Sequence, residues 1–284
     1  MEPRSTDTEA VIYETHSHTE LCKHAIGTPQ EYAAVAKARG LRGMFVTCHN
    51  PMPNGFASHV RMSPEQIEEY VELVEQTREE FEGQVDVRLG LEADYYPGYE
   101  SWLEDQLGSF PFHYVLGSVH PQLPEFRRDF RREDPLEHQQ VYFNMLADAA
   151  ETQLFDSLAH PDLIKNQTAT AWNPDAIMPT ICRALDRIAK TGIAMELNTS
   201  GAQKVIAEMN PFPGMLAEMH ARGIPVTIGA DAHEPNRVGD GFEFALDLLS
   251  SVGYTEISVF FNRQRQAISI EQAKASLQQV PLAG

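Results

Sequence analysis

The chain has 284 residues, with 22 lysines and arginines against 41 aspartates and glutamates, a formal charge of −19. Such acidity repels nucleic-acid backbones and anionic membrane surfaces, which excludes long nucleic acid and membrane as partners and leaves any anionic ligand dependent on a local basic site or a metal. Hydrophobic residues at 42% and charged residues at 22% exclude disordered and fibrous classes and predict a substantial core.

The opening MEPRSTDTEA is polar and lacks the apolar stretch of a secretory signal. No run approaches the roughly 18 consecutive apolar residues of a membrane span, so a soluble cytoplasmic protein is expected. Three cysteines, Cys22, Cys48 and Cys182, are too few and too odd a number for a disulfide framework.

After a tail of about ten residues, read as flexible, strand and helix patterns alternate. β-Rich runs lie at AVIYETHSH (10–18), GMFVTCH (43–49), VDVRLGLEADY (85–95), HYVLGSVH (113–120), LFDSLAH (154–160), IAMELNTS (193–200) and IPVTIGADAH (224–233), with a possible eighth at EISVFF (256–261). Thr28-Pro29-Gln30-Glu31 and Ser63-Pro64-Glu65-Gln66 are capping boxes with Pro at the first helical position, each opening an amphipathic helix. Further helices are predicted at about 135–152, 174–191, 211–222 and 240–252, several stopped by glycine (Gly192, Gly223, Gly253). A helix SIEQAKASLQQ is expected near the C-terminus, packed on the exterior.

Seven or eight βα units with no linker predict one α/β domain over 11–284, a TIM-like barrel of parallel strands. An open doubly wound sheet is the alternative. It would carry a Gly-rich phosphate fingerprint after the first strand, where this chain has Thr15-His16-Ser17-His18.

Of the eleven histidines, most fall at strand ends. His16 and His18 end the first run, His49 the second, His120 the fourth and His160 the fifth; Glu92 lies near the end of the third, and Asp231 and His233 end the seventh. Parallel barrel strands deliver their C-terminal ends to one face, so these side chains converge there, with His24 on the adjoining loop. In His16-x-His18 the period-two geometry of a strand aims both imidazoles the same way. Imidazole and carboxylate donors suit Zn, Mn or Fe, and nine donors exceed the needs of one ion, so two or three divalent ions are expected, with a carboxylate bridging a pair. His59, His113, His138 and His220 are read as structural. Cys48 precedes His49 and points to the other side of its strand, which excludes it as a ligand.

The ordered series His16-x-His18, His24, His49, Gly90-Leu91-Glu92-Ala93-Asp94, Gly117-Ser118-Val119-His120, His160-Pro161-Asp162-Leu163 and Asp231-Ala232-His233 resembles the PHP (polymerase and histidinol phosphatase) superfamily of metal-dependent phosphoesterases. The resemblance runs from about residue 14 to 239. The stretches Phe155–Lys165 and Glu196-Leu197-Asn198-Thr199-Ser200-Gly201 are similar to the stand-alone histidinol-phosphatase branch.

The resemblance implies a distorted (β/α)7 barrel. It also implies a trinuclear centre: one ion on His16, His18, Glu92 and Asp231, a second on His24, His49 and His233, and a third on Glu92, His120 and His160. The implied activity is hydrolysis of a small phosphate monoester, L-histidinol phosphate to L-histidinol in histidine biosynthesis, by a hydroxide bridging metals, with Asp231 as the candidate proton acceptor. Where that branch commonly carries an Arg-Lys pair, this chain has Ala202-Gln203-Lys204.

Candidate phosphate-binding residues are Arg237, Lys204 and Arg128, the last within the cluster Arg127, Arg128, Arg131 and Arg132 that follows His120. Asp94, Tyr95, Trp102 and Phe112 are candidates for shaping the pocket. Competing functions are a phosphoesterase of nucleotides or short oligonucleotides, a non-catalytic metal-binding regulator, and a metal-dependent C–N hydrolase. The last often uses a carboxylated lysine at a strand end, and no lysine ends a strand here.

Overall fold

In the computed structural model, which describes residues 10–277, the alternating runs become seven parallel strands in strict chain order. They are β1 (Tyr13–Glu14), β2 (Gly43–Val46), β3 (Asp86–Asp94), β4 (Tyr114–Ser118), β5 (Ser157–Leu158), β6 (Ala194–Asn198) and β7 (Val226–Gly229). The two ends of the sheet meet at a bridge between Ser17 and Ala232, where His18 N donates to Ala232 O over 2.9 Å and Ala232 N to His16 O over 3.0 Å. The result is the expected distorted (β/α)7 barrel in a single α/β domain. Residues 1–9 of the expected tail, and Gln278 and Gln279 of the expected terminal helix, lie outside the described residues.

Alternation along the strands separates two environments. On β3, Val87, Leu89 and Leu91 face the helices in the main apolar cluster, while Glu92 and Asp94 belong to the buried polar set near the top of the barrel. A second apolar cluster gathers Tyr13, Phe45, Tyr114, Leu116, Ala159 and Ala194 from five strands or their ends. It fills the lower interior.

The lower opening is closed by an element that the sequence pattern left as a possible eighth barrel strand. β8 (Glu256–Phe261) instead pairs antiparallel with β9 (Gln264–Ser269) in a separate hairpin. Its turn residues Asn262 and Arg263 both take positive φ, 51° and 62°, which reverses the chain after two residues. Phe260 stacks on Tyr114 with ring centroids 5.3 Å apart, and Phe261 meets Tyr13 edge-on at 5.3 Å.

The predicted capping boxes form. Thr28 Oγ1 accepts from Glu31 N and Glu31 Oε2 from Thr28 N, opening the helix Pro29–Ala38. The Ser63–Gln66 box caps a single 3-10 turn that leads into the helix Ile67–Glu80. From that helix Tyr70 reaches back, its hydroxyl bonding Val46 O at 2.7 Å and Gly90 O at 2.8 Å, and so fixes β2 and β3 just below the functional face. The helix expected at 174–191 is α-helical over Pro174–Ile188 and ends in a 3-10 turn before Gly192, whose φ of 76° suits glycine. The run 269–277 contributes the helix Ile270–Ser276, which buries Ile270 and Ala273.

Candidate metal centre

The strands are shorter than their sequence patterns because the backbone leaves regular geometry where the side chains turn onto the upper face. β1 stops at Glu14, two residues before His16, and β5 stops two residues before His160. His160 and Asp231 adopt positive φ, 27° and 51°, an uncommon conformation for non-glycine residues. All nine predicted donors arrive together.

Glu92 sits at the centre, 1% exposed. Its Oε1 lies 3.1 Å from His160 Nε2 and 3.4 Å from His120 Nε2. Its Oε2 lies 2.8 Å from His49 Nδ1, 3.5 Å from His16 Nε2 and 3.7 Å from His18 Nε2. One carboxylate therefore faces five imidazoles, two on one oxygen and three on the other. On the far side Asp231 Oδ1 lies 3.1 Å from His18 Nε2 and 3.7 Å from His16 Nε2. His24 Nε2 and His233 Nε2 are 2.9 Å apart, and the donor atoms of His24, His49 and His233 all fall within 4.8 Å of one another. Equally tight groups are His16, His18 and Asp231; Glu92, His120 and His160; and His18, His49 and Glu92. Cys22 groups in the same way with His18 and His233.

The electrostatics follow from this crowding. Burial raises the cost of charge on Glu92, but His49, His16 and His120 outweigh it and hold the carboxyl well below its usual range. Asp231 is depressed likewise, burial being overcome by His16, His18, His233 and Lys204. Burial pushes His49 down to about 3 and His233 to about 2, whereas for His16, His18 and His120 the neighbouring carboxylates outweigh burial and raise the imidazoles, His18 to about 9. Several polar atoms are left unsatisfied: His16 Nε2 and His18 Nδ1 are buried with no hydrogen-bond partner, and His49 Nδ1 and Glu92 Oε2 face each other at 2.8 Å without the angles of a hydrogen bond. Each such atom costs about 1–3 kcal/mol unless something else coordinates it.

Behind the donors stands a layer that sequence reading missed. Glu196 Oε1 lies 2.8 Å from His16 Nδ1, and its Oε2 accepts from His160 N at 2.8 Å and Asn198 Nδ2 at 3.0 Å. Gly229 makes room for this pair, since a Cβ there would lie 2.3 Å from Glu196 Oε1 and 2.5 Å from His16 Cβ. Glu14, also fully buried, accepts from His16 N, Ala230 N and Gly239 N and so ties β1 to the loop after β7. Asp94, read as a pocket residue, accepts from Ser118 Oγ at 2.8 Å and pairs with His120 Nδ1 and Arg61. Ser200 Oγ lies 3.1 Å from Asp231 Oδ2. Such outer partners fix ligand orientation and tautomer.

The predicted phosphate-binding residues separate. Lys204 Nζ comes to 3.8 Å from Asp231 Oδ2 with its side chain 29% exposed, at the rim of the cluster. Arg237 pairs with Asp240 on its own turn. Arg128 is 68% exposed and forks onto Asp129, while Arg127 bonds Gln167; Arg131 and Arg132 are exposed. Among the other pocket candidates, Trp102 Nε1 donates to Pro51 O and Phe112 is buried in the core. Cys48 is buried against Thr19, its Sγ accepting from Thr19 Oγ1 at 3.2 Å, and enters none of the donor groups above. The four histidines read as structural lie elsewhere: His113 Nδ1 accepts from Asn262 N, His138 packs on Phe126, His220 on Tyr254, and His59 is exposed.

Comparison with known proteins places this arrangement among relatives. The family model described as the PHP domain matches residues 14–200. A probable histidinol-phosphatase of Deinococcus radiodurans is 39% identical over 261 residues, covering 90% of this chain and 98% of that protein. The histidinol-phosphatase of Bacillus subtilis is 25% identical, over 82% and 97% of the two chains. In fold, the crystal structure of histidinol phosphate phosphatase from Lactococcus lactis, complexed with Zn, L-histidinol and phosphate, superposes with a TM-score of 0.76 at 20% identity, covering 90% of this chain and 98% of that one.

Proposed function

The chain belongs to the PHP domain family, and on that premise we propose that it is a metal-dependent phosphatase that hydrolyses L-histidinol phosphate to L-histidinol, in the cytoplasm, as a step of histidine biosynthesis. The observation that carries the substrate is the 39% identity to a probable histidinol-phosphatase across nearly the whole of both chains. No helix among the described residues is long and apolar enough to cross a membrane, which fits that location.

The donor set fits two or three divalent ions. His16, His18, Glu92 and Asp231 would hold one, His24, His49 and His233 a second, and Glu92, His120 and His160 a third, with the two oxygens of Glu92 already divided between the first and third groups. The buried unpartnered Nε2 of His16, Nδ1 of His49 and Oε2 of Glu92 are atoms such ions would satisfy. Bound there, Zn, Mn or Fe supplies positive charge to the phosphate and makes a coordinated water more acidic.

The remaining work falls to this chain's own groups. Asp231 is ionised, 10% exposed in its side chain, and held by His18 and Ser200, so it is placed to take the proton that water gives up. Lys204, beside it at the rim, supplies a cation for a phosphate oxygen in a protein that otherwise repels anions. Arg237, on the loop after β7, is the second candidate contact and would exchange Asp240 for phosphate. Arg128 would have to leave Asp129 and solvent to contribute.

Phosphate release from L-histidinol phosphate by protein of measured metal content tests the proposal, with a nucleoside monophosphate alongside. Strong preference for the histidinol ester is expected. Equal or faster turnover of the nucleotide would overturn the substrate while leaving the phosphoesterase chemistry, and absence of turnover of either by fully metallated protein would overturn both.

A further inference from the structure

Arg61 is among the largest fully buried side chains, 1% exposed, on the loop between β2 and the helix Ile67–Glu80. Burying a guanidinium with a carboxylate costs more desolvation than the pair usually returns, so such a pair is a poor device for stability alone. Its partners show what it does instead. One terminal guanidinium nitrogen donates to Asn50 O at 2.9 Å and Asn50 Oδ1 at 3.2 Å, and the other terminal nitrogen pairs with Asp94 Oδ2. The guanidinium lies over the Phe56 ring, 5.4 Å from its centroid. Asn50 Oδ1 in turn accepts from Asp94 N at 3.1 Å, and Asn50 N donates to Glu92 O at 2.8 Å.

With Oδ2 held by Arg61, Asp94 presents Oδ1 to Ser118 Oγ and His120 Nδ1. A carboxylate oxygen accepts, so Nδ1 of His120 carries a proton, and the neutral ring, the form that binds a metal, then has its lone pair on Nε2. That nitrogen lies 3.4 Å from Glu92 Oε1, which it shares with His160 Nε2 at 3.1 Å. Neither Arg61 nor Asp94 belongs to any of the grouped donors, and the chain from Arg61 through Asp94 ends on one group, Glu92, His120 and His160.

We propose that Arg61, acting through Asp94, is a positioning residue that sets the orientation and tautomer of His120 and thereby governs occupancy of the Glu92–His120–His160 position more than that of the other two. The inference rests on the reading of the donor cluster as a metal centre.

The test is Zn content and chelator-competed Zn affinity of the full-length chain as wild type, R61M, D94N and the R61M/D94N double variant, with circular dichroism on each. The expected result is that one class of bound Zn weakens about 10–100-fold in each single variant while the remaining Zn is weakened less. The double variant should be no weaker than D94N alone, because the two residues act in series. R61K, keeping charge without the fork, should recover part of the loss. If R61M does not fold, D94N and R61K decide the matter on the same readout. Zn binding unchanged in folded variants overturns the proposal and leaves the metal centre intact; additive losses overturn action through Asp94; a wild-type protein that binds no Zn, Mn or Fe overturns the metal centre as well.

Discussion

His16 and Glu196 form a pair with no solvent exposure, 2.8 Å from Nδ1 to Oε1, directly beneath the donor cluster. The other oxygen of Glu196 holds the backbone N of His160, so one carboxylate orients a donor from β1 and anchors a second after β5. Replacing it as E196Q puts an amide donor against groups that themselves donate. Metal affinity should fall about 10–100-fold, with a loss of about 1–3 kcal/mol from whichever of His16 Nδ1 and His160 N faces the amide nitrogen. G229A should act in the same direction, since its methyl would occupy the space of the Glu196 carboxylate. Chelator competition together with thermal melting checks both, and metal affinity unchanged in either variant would count against this role for Glu196.

Removing metal should lower stability as well as abolish hydrolysis. Donor atoms buried without partners make the metal-free cluster costly, and ions that bind only the folded chain stabilise it by mass action. An ion present at 100 times its Kd contributes about 2.7 kcal/mol. In a chain of this size that corresponds to roughly 4–5 °C in Tm. Dialysis against a chelator, followed by melting with and without restored Zn or Mn, measures the difference. A Tm indifferent to metal would show that the cluster is not occupied in solution.

The donors were legible in the sequence for a physical reason. Strand periodicity makes His16-x-His18 a same-side pair, and the barrel brings every strand end to one face, so position along the chain becomes position in space. The groups behind them obey no such rule. Glu196 meets His16 across 180 residues of chain and Arg61 meets Asp94 across 33, and nothing local marks either contact. Glu196 was visible only as part of a family-like run. The hairpin failed to declare itself for a different reason: EISVFF reads as a buried strand in either setting, and its turn places Asn262 and Arg263 at positive φ, where glycine would have been the legible signal. Arg128 illustrates a third limit, because charge clustering was plain while its choice of Asp129 as a partner depended on local geometry.

Lys204 and Arg128 should behave differently on substitution. K204A removes the cation at the rim beside Asp231, and KM for the phosphate monoester should rise about tenfold, the equivalent of about 1.4 kcal/mol. R237A should weaken binding to a lesser extent, because Asp240 already holds part of that guanidinium's hydrogen-bonding capacity. R128A should leave both kinetic constants within twofold of wild type, as expected for an exposed ion pair. Steady-state kinetics on the three variants separates them. A larger effect from R128A than from K204A would place the arginine cluster over the bound phosphate and reverse this ranking.

The hairpin β8–β9 predicts a stability effect separated from chemistry, and one with a defined pH dependence. Arg263 in its turn donates to Asp156 Oδ2 at 2.5 Å and Leu154 O at 2.6 Å, fastening the hairpin below the barrel, opposite the donor face. Burial raises the Asp156 carboxyl above its usual range, while Arg263 and the bond from Val115 N hold it down. A carboxyl raised in the folded state favours folding below its unfolded pKa, and that contribution is lost as pH rises through the folded value. R263A removes the opposing charge and raises the folded value further, so the loss should deepen and extend to higher pH. The Tm gap between wild type and R263A should therefore widen from about pH 4 towards neutrality, while kcat/KM of the folded variant stays within twofold of wild type. Melting curves across that range, with kinetics at neutral pH, provide the check; a gap that narrows with rising pH would mean that Arg263 does not act through Asp156.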